Sequence, residues 1–199
     1  PAKPTITNAS EPSPSNTKAV DNQVVIALSG EIEPEEPDLT ISIRRASCEG
    51  EEVGTDSGSS FVNGDEGVTV TLQANETHAL YARAKDAAGN WSGCSETSFD
   101  FVHDDIPPEA PVVASMSTQS PTNAFDVELT LTVEVNATVV AYAGANCQEA
   151  DVLDAPVAEN SEEVKLRLNL AFDTENIFSF RAKDLAGNLS PCTKNFIFV

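Results

Sequence analysis

Four cysteines, two histidines and a large excess of carboxylates are the side chains with chemistry to offer. Cys48 and Cys94 are about 45 residues apart, and Cys147 and Cys192 repeat that separation. Zinc would need ligands paired a few residues apart. The matched spacing instead suits two disulfides, Cys48–Cys94 and Cys147–Cys192, and so an oxidising compartment. Joining Cys94 to Cys147, or leaving the thiols free, would abandon the match. His78 and His103 stand in no metal-ligand or triad spacing and fall at expected strand ends, which reads as two surface residues and not as catalysts. The acidic pairs Glu35/Glu36, Glu51/Glu52 and Glu162/Glu163 fall in expected loops, where a charge run is a solvated face. No phosphate-cradling loop and no Gly-x-Ser-x-Gly is present, so these residues point away from an enzyme.

The elements that position these residues come in two copies. Arg83-Ala84-Lys85-Asp86-Ala87-Ala88-Gly89-Asn90-Trp91-Ser92 returns as Arg181-Ala182-Lys183-Asp184-Leu185-Ala186-Gly187-Asn188-Leu189-Ser190, with a cysteine two residues later each time. The openings match too, Pro1-Ala2-Lys3-Pro4 against Pro108-Glu109-Ala110-Pro111. A unit of about a hundred residues used twice is a module, which places one domain over residues 1–105 and a second over 106–199. The junction His103-Asp104-Asp105-Ile106-Pro107-Pro108 is stiffened by its prolines.

Apolar residues alternate with polar ones at Val24/Ile26/Leu28, Leu39/Ile41/Ile43, Val68/Val70/Leu72, Leu80/Ala82/Ala84 and Phe99/Phe101. The second unit repeats the plan at Val127/Leu129/Leu131/Val133, Val140/Tyr142, Val164/Leu166/Leu168/Leu170, Phe178/Phe180/Ala182 and Phe196/Phe198. Period-two alternation marks half-buried strands. With a strand after each opening and a weaker one after each first cysteine, the count is about seven per unit. The expected fold is all-β: two tandem seven-stranded immunoglobulin-like, or fibronectin III-like, sandwiches. Asp86–Asn90 and Asp184–Asn188 are then the turns before each last strand, with glycine supplying positive φ.

For the disulfides to close in such a sandwich, the loop after the third strand must fold back over the strand that precedes the turn, because bonded cysteines need Cα atoms within about 7 Å. Arg83, Lys85, Arg181 and Lys183 face outward on those strands and suit a cross-strand salt ladder with the abundant acids. Trp91 is Leu189 in the second unit, so a sugar-stacking role would belong to one unit only, and packing on a neighbouring module is the alternative. Asn-x-Ser/Thr sequences start at Asn8, Asn75, Asn90, Asn136 and Asn188, several of them explained by turn chemistry.

With 32 acidic residues against 11 basic ones and a net charge of −21, the chain is a poor partner for nucleic acid. It also contains no apolar run long enough to cross a membrane as a helix.

The opening Pro-x-x-Pro, Cys48-Glu49-Gly50, the Asp-x-Ala-Gly-Asn-x-Ser-x-Cys turn and the Asp-Asp-x-x-Pro linker together resemble a family of bacterial immunoglobulin-like repeats. Such repeats are strung through secreted and cell-surface proteins, including adhesins. The resemblance implies a non-enzymatic extracellular stalk or fibre segment whose partners are neighbouring modules of the same protein or assembly. Cys147-Gln148-Glu149 departs from the pattern, having no glycine after the cysteine. Fibronectin III modules of secreted polysaccharide hydrolases are similar at Asp-x-Ala-Gly-Asn, and they imply an accessory module that contacts carbohydrate. A filament subunit polymerising through the apolar strand Phe196–Val199 is a further alternative.

Related adhesin repeats imply a calcium ion at such junctions. End-to-end units would bring Asp104 and Asp105 near Asp184 and Asn188, an oxygen-rich set of the kind calcium takes. On that expectation millimolar calcium raises the melting temperature, and Asp104→Ala with Asp105→Ala abolishes the rise. An unchanged melting temperature in calcium counts against the site.

Overall fold

The computed structural model describes residues 1–33, 38–63, 67–148, 152–154, 156, 158 and 161–199; Glu35, Glu36 and Glu149 lie outside the described residues. The chain divides into two compact units, Pro1–Asp105 and Ile106–Val199. In unit 1 the strands β1 (Pro4–Ala9), β2 (Gln23–Ile32) and β5 (Val68–Gln73) form one antiparallel sheet in the order β1-β2-β5. A second sheet runs β4 (Glu52–Ser57), β3 (Thr40–Arg45), β6 (Thr77–Lys85), β7 (Phe99–Val102). Unit 2 repeats both: β8 (Val112–Met116), β9 (Asp126–Thr132) and β12 (Glu163–Asn169) in the order β12-β9-β8, then β11 (Val152–Asp154), β10 (Thr138–Ala143), β13 (Asn176–Lys183) and β14 (Phe196–Phe198).

The alternation explains the layers. Val24, Ile26 and Leu28 lie directly opposite Leu72, Val70 and Val68, and Val127, Leu129 and Leu131 opposite Leu168, Leu166 and Val164. Each set turns one apolar face inward, where it meets Ile41, Ile43, Ala82, Ala84 and Phe101 in unit 1, or Val139, Ala141, Phe180, Ala182 and Phe198 in unit 2. Burying one of the valine, isoleucine, leucine or phenylalanine side chains is worth about 1.5–3 kcal/mol, so each unit holds its own core.

Two features depart from the sequence expectation. The pattern Val140/Tyr142 puts those residues inward on β10, but the core side carries Val139 and Ala141, which are fully buried. The adjacent valines 139 and 140 make the phase ambiguous, and pairing of Ala141 with Phe180 decides it. A short helix α1 (Gly58–Asn63) was not anticipated; it starts where the Ser57 hydroxyl accepts the Ser60 N–H (3.2 Å), and it buries Phe61 in the core. Gly30 makes room for it, since a Cβ there would come 2.6 Å from the Phe61 ring and 2.0 Å from the Thr5 carbonyl oxygen.

The β10 phase can be checked directly. Val139→Thr buries a hydroxyl and lowers the stability of unit 2 by about 1–3 kcal/mol, whereas Val140→Thr changes it by less than about 0.5 kcal/mol. Urea denaturation followed through unit 2 amide resonances distinguishes them.

Candidate functional site

Each unit carries a covalent strap across the outer face of its four-stranded sheet. After β3 the chain turns back through Ala46, whose φ is +67°, and Gly50 closes the turn by donating to the Ser47 carbonyl (2.9 Å). Arg44 Nη1 donates to the Gly50 carbonyl (2.9 Å), laying the loop over the sheet. On the other side the segment after the turn runs back along β6: the Ser92 N–H donates to Ala84 O (2.8 Å) and the Ser95 N–H to Ala82 O (2.9 Å), while both hydroxyls accept the matching N–H groups. Cys48 and Cys94 thus meet with Cα atoms 5.8 Å apart and are bonded.

Unit 2 reaches the same result without the glycine. Asn146 (φ 73°) and Cys147 (φ 49°) take left-handed conformations, the Cys147 N–H donates to Ser179 Oγ (3.1 Å), and Cys147 is bonded to Cys192 at a Cα separation of 5.9 Å. Beneath that loop Tyr142 and Ser179 are buried, although they sit on the outer face.

Trp91 adds a second brace in unit 1. Its ring lies beneath Arg83 (4.8 Å), Lys85 (5.3 Å) and Arg44 (5.9 Å), and 40% of the residue stays exposed. The salt ladder expected of the outward cations is present only in part. Arg83 meets Glu49 at 3.4 Å and Arg44 meets Glu52 at 3.5 Å, while Lys85 turns to the ring. Each cation–π contact contributes about 0.5–1 kcal/mol at such exposure.

The repeated turns are held by their own aspartates. Asp86 accepts the Asn90 N–H (2.8 Å) and side-chain amide (2.9 Å), and Asp184 accepts the Gly187 and Asn188 N–H groups (2.7 and 2.8 Å) and the Asn188 amide (2.9 Å). Gly89 and Gly187 take the positive φ that the turn demands, 89° and 98°. The Asn90 side-chain amide, and then its N–H, hold the Asp86 carboxyl below the usual carboxylate range. Asp105 is likewise lowered, first by the Asn75 side chain; its Oδ2 accepts the Ala19 N–H (3.3 Å). Asp104 donates its N–H to Ser15 O (2.8 Å). Of the residues expected to meet at a calcium ion, Asp105 and Asp184 accept hydrogen bonds at their carboxylates from their own units, Asn188 donates from its N–H and side-chain amide, and Asp104 donates from its backbone N–H. Among the described residues no three His, Cys, Asp or Glu side chains cluster as a metal site.

Both histidines are buried, contrary to the surface positions expected, at 2% exposure for His78 and 1% for His103. Backbone partners make this tolerable. His78 Nε2 donates to Gln73 O (2.8 Å). His103 accepts the Asn75 N–H at Nδ1 (3.0 Å) and donates from Nε2 to Thr17 O (2.6 Å), which specifies one neutral tautomer. His103 thereby closes a terminal clamp. Ser15 pairs in parallel with His103, the Ser15 N–H donates to Val102 O (3.0 Å), and the Val102 N–H donates to Ser13 Oγ (2.9 Å). In unit 2 the Thr122 N–H donates to Val199 O (3.0 Å), and the Val199 N–H donates to Ser120 Oγ (3.0 Å).

No protein-family model matches the sequence, and no curated protein matches it. Solved structures do match. Fibronectin(III)-like modules of Clostridium thermocellum CbhA superpose with a TM-score of 0.55 at 13% identity, covering 98% of this chain and 93% of theirs. The fold is fibronectin III-like. The human OSCAR ligand-binding domain (TM-score 0.45, 12% identity, 98% of this chain and 97% of that one) and the D00-D0 domain of intimin (0.32, 15%, 96% and 98%) are more distant. In both fibronectin III-like units the clamp rests on residues that sequence reasoning passed over, Ser13-Pro14-Ser15-Asn16 and Ser120-Pro121-Thr122-Asn123. Their recurrence was itself a visible repeat.

The Asp86 turn makes its stability contribution dependent on pH. A carboxyl depressed in the folded state stabilises fully above its ordinary value of 3.8, and the contribution is lost as pH falls through the depressed value. The melting-temperature difference between the parent chain and Asp86→Asn is therefore largest near neutrality and disappears in strong acid.

Proposed function

We propose that the chain is a non-enzymatic, load-bearing segment of an extracellular stalk or fibre, built from disulfide-laced fibronectin III-like modules. The observation that carries this reading is the terminal clamp. In each unit an early extended segment hydrogen-bonds to the last strand, at Ser13–Ser15 with Val102 and at Ser120–Thr122 with Val199. In unit 1 the pairing is parallel, so tension applied to the two ends pulls the partners along their length and loads those bonds together instead of unzipping them one by one. The straps add a limit that hydrogen bonds cannot. Tension reaches only the residues outside each disulfide loop, because a covalent bond closes the loop. Two disulfides in two small domains also suit an oxidising exterior. A calcium ion held by Asp104, Asp105, Asp184 and Asn188 would stiffen the junction of such an array.

A second reading, a carbohydrate-contacting accessory module, draws on the likeness to the CbhA modules and on the exposed part of Trp91. Its signature is polysaccharide binding that Trp91→Ala abolishes.

Single-molecule stretching of the full chain tests the load-bearing role. Unit 1 resists until one abrupt event, and His103→Ala lowers the force of that event. Reduction by a dithiol frees the 46-residue separation between Cys48 and Cys94, lengthening the extension of unit 1 by roughly 150 Å. Gradual peeling at low force would overturn the reading.

A further inference from the structure

The outer faces of the two three-stranded sheets correspond in position but differ in charge. The Ser10 N–H donates to Ala27 O (2.8 Å) and Ser10 Oγ accepts the Ala27 N–H (3.0 Å). Ser117 and Glu128 are joined in the same two ways, at 2.9 Å each, so Ala27 answers to Glu128. Opposite them stand Thr69 in unit 1 and Arg167 in unit 2. Two residues back along the strand, Val25 takes the place of Asp126, which is paired with Arg167 at 2.8 Å. Unit 1 thus has Val25, Ala27, Thr69 and Thr71 where unit 2 has Asp126, Glu128, Arg167 and Asn169, and Val25 is 58% exposed. In a chain of net charge −21 this neutral face suits an uncharged occupant.

The same face carries a modification sequence. Just after the matching register shift, Asn8 lies opposite Ser29 where unit 2 has Ser115 opposite Thr130. Asn8-Ala9-Ser10 is an acceptor for N-linked sugar, and Ser115-Met116-Ser117 is not. Asn8 is exposed, and among the described residues its side-chain amide has no hydrogen-bond partner. The other four acceptor asparagines are tied into turns. Asn75 Oδ1 accepts the Asp105 N–H (2.8 Å), the Asn90 and Asn188 amides donate to Asp86 and Asp184 (2.9 Å each), and Asn136 holds φ 64° before β10.

We propose that Asn8 carries a neutral N-linked oligosaccharide that folds back over Val25, Ala27, Thr69 and Thr71. Sugar C–H groups cover the valine and alanine, and sugar hydroxyls meet the threonine hydroxyls without stripping water from any ion. The transfer joins Asn8 Nδ2 to the anomeric carbon of a lipid-carried glycosyl diphosphate. A C–N bond forms, the anomeric C–O bond breaks, the diphosphate leaves and one amide proton is released. In the folded chain the Ser10 hydroxyl accepts the Ala27 N–H, so the acceptor sequence is used before β1 docks on β2. Because β1 is an edge strand, a sugar on it also obstructs pairing with another chain.

Peptide mass spectrometry of the full chain isolated from its native source tests the assignment. The peptide bearing Asn8 should carry an oligosaccharide mass that Asn8→Gln and Ser10→Ala each abolish and Ser10→Thr retains. A bare Asn8 in the native chain, or a mass that survives Asn8→Gln, would overturn the site. Hydroxyl-radical labelling of Val25 should be lower in the glycosylated chain than in Asn8→Gln, while labelling of Met116 on the corresponding sheet of unit 2 stays the same. Equal labelling of Val25 in the two forms would overturn the covering of the face. Protection of Val25 in the Asn8→Gln chain by a free neutral oligosaccharide would overturn the covalent source.

Discussion

Everything distinctive in each unit depends on the hydrogen bonding of one central strand, β6 in unit 1 and β13 in unit 2. Each has two edges that must be satisfied, because an unpaired buried backbone group costs about 1–3 kcal/mol. One edge is taken by β3 or β10 along its length. The other is taken first by the segment after the turn and then by the last strand, so the same edge is shared between two stretches of chain. That division sets the cysteine of the first stretch beside the middle of the central strand. The loop from the far edge has only to arch over one strand to meet it.

The strap, the Trp91 stack and the turn are therefore successive consequences of one arrangement. The Asp86 and Asp184 turns reverse the chain tightly enough for Ser92 and Ser190 to return onto Ala84 and Ala182. Trp91, immediately before Ser92, then falls under the outward row of Arg83, Lys85 and Arg44. In a chain of net charge −21 these cations could have been spent on acids alone. The ring holds three of them on one face and, together with the Cys48 loop, covers the outer face of that sheet. Unit 2 covers the same face differently, with the Cys147 loop lying over Tyr142 and Ser179.

Strand identity was legible because alternation records which side of a sheet a residue faces, and the fibronectin III-like likeness agrees with that reading. The fold class needed no tertiary information. Where alternation is absent, legibility failed. Val139 and Val140 in succession carry no phase, α1 is too short to show a helical period, and His103 offers no clue to its burial because its partners are backbone groups of Thr17 and Asn75. The candidate site divides the same way. Turn aspartates and glycines announce themselves through backbone need, while Trp91 gave no sign of which cations would cover it.

By itself the amino-acid sequence determined the repeat, the strands and the turns, since each depends on residues close together in the chain. Only the tertiary structure decided what distant segments do to one another: that the Cys48 loop arches over β6, that Phe61 requires Gly30, and that Ser15 zips against Val102 with His103 as the latch. Those contacts join residues tens of positions apart, and their geometry depends on how two sheets pack. Local propensity carries no record of that packing.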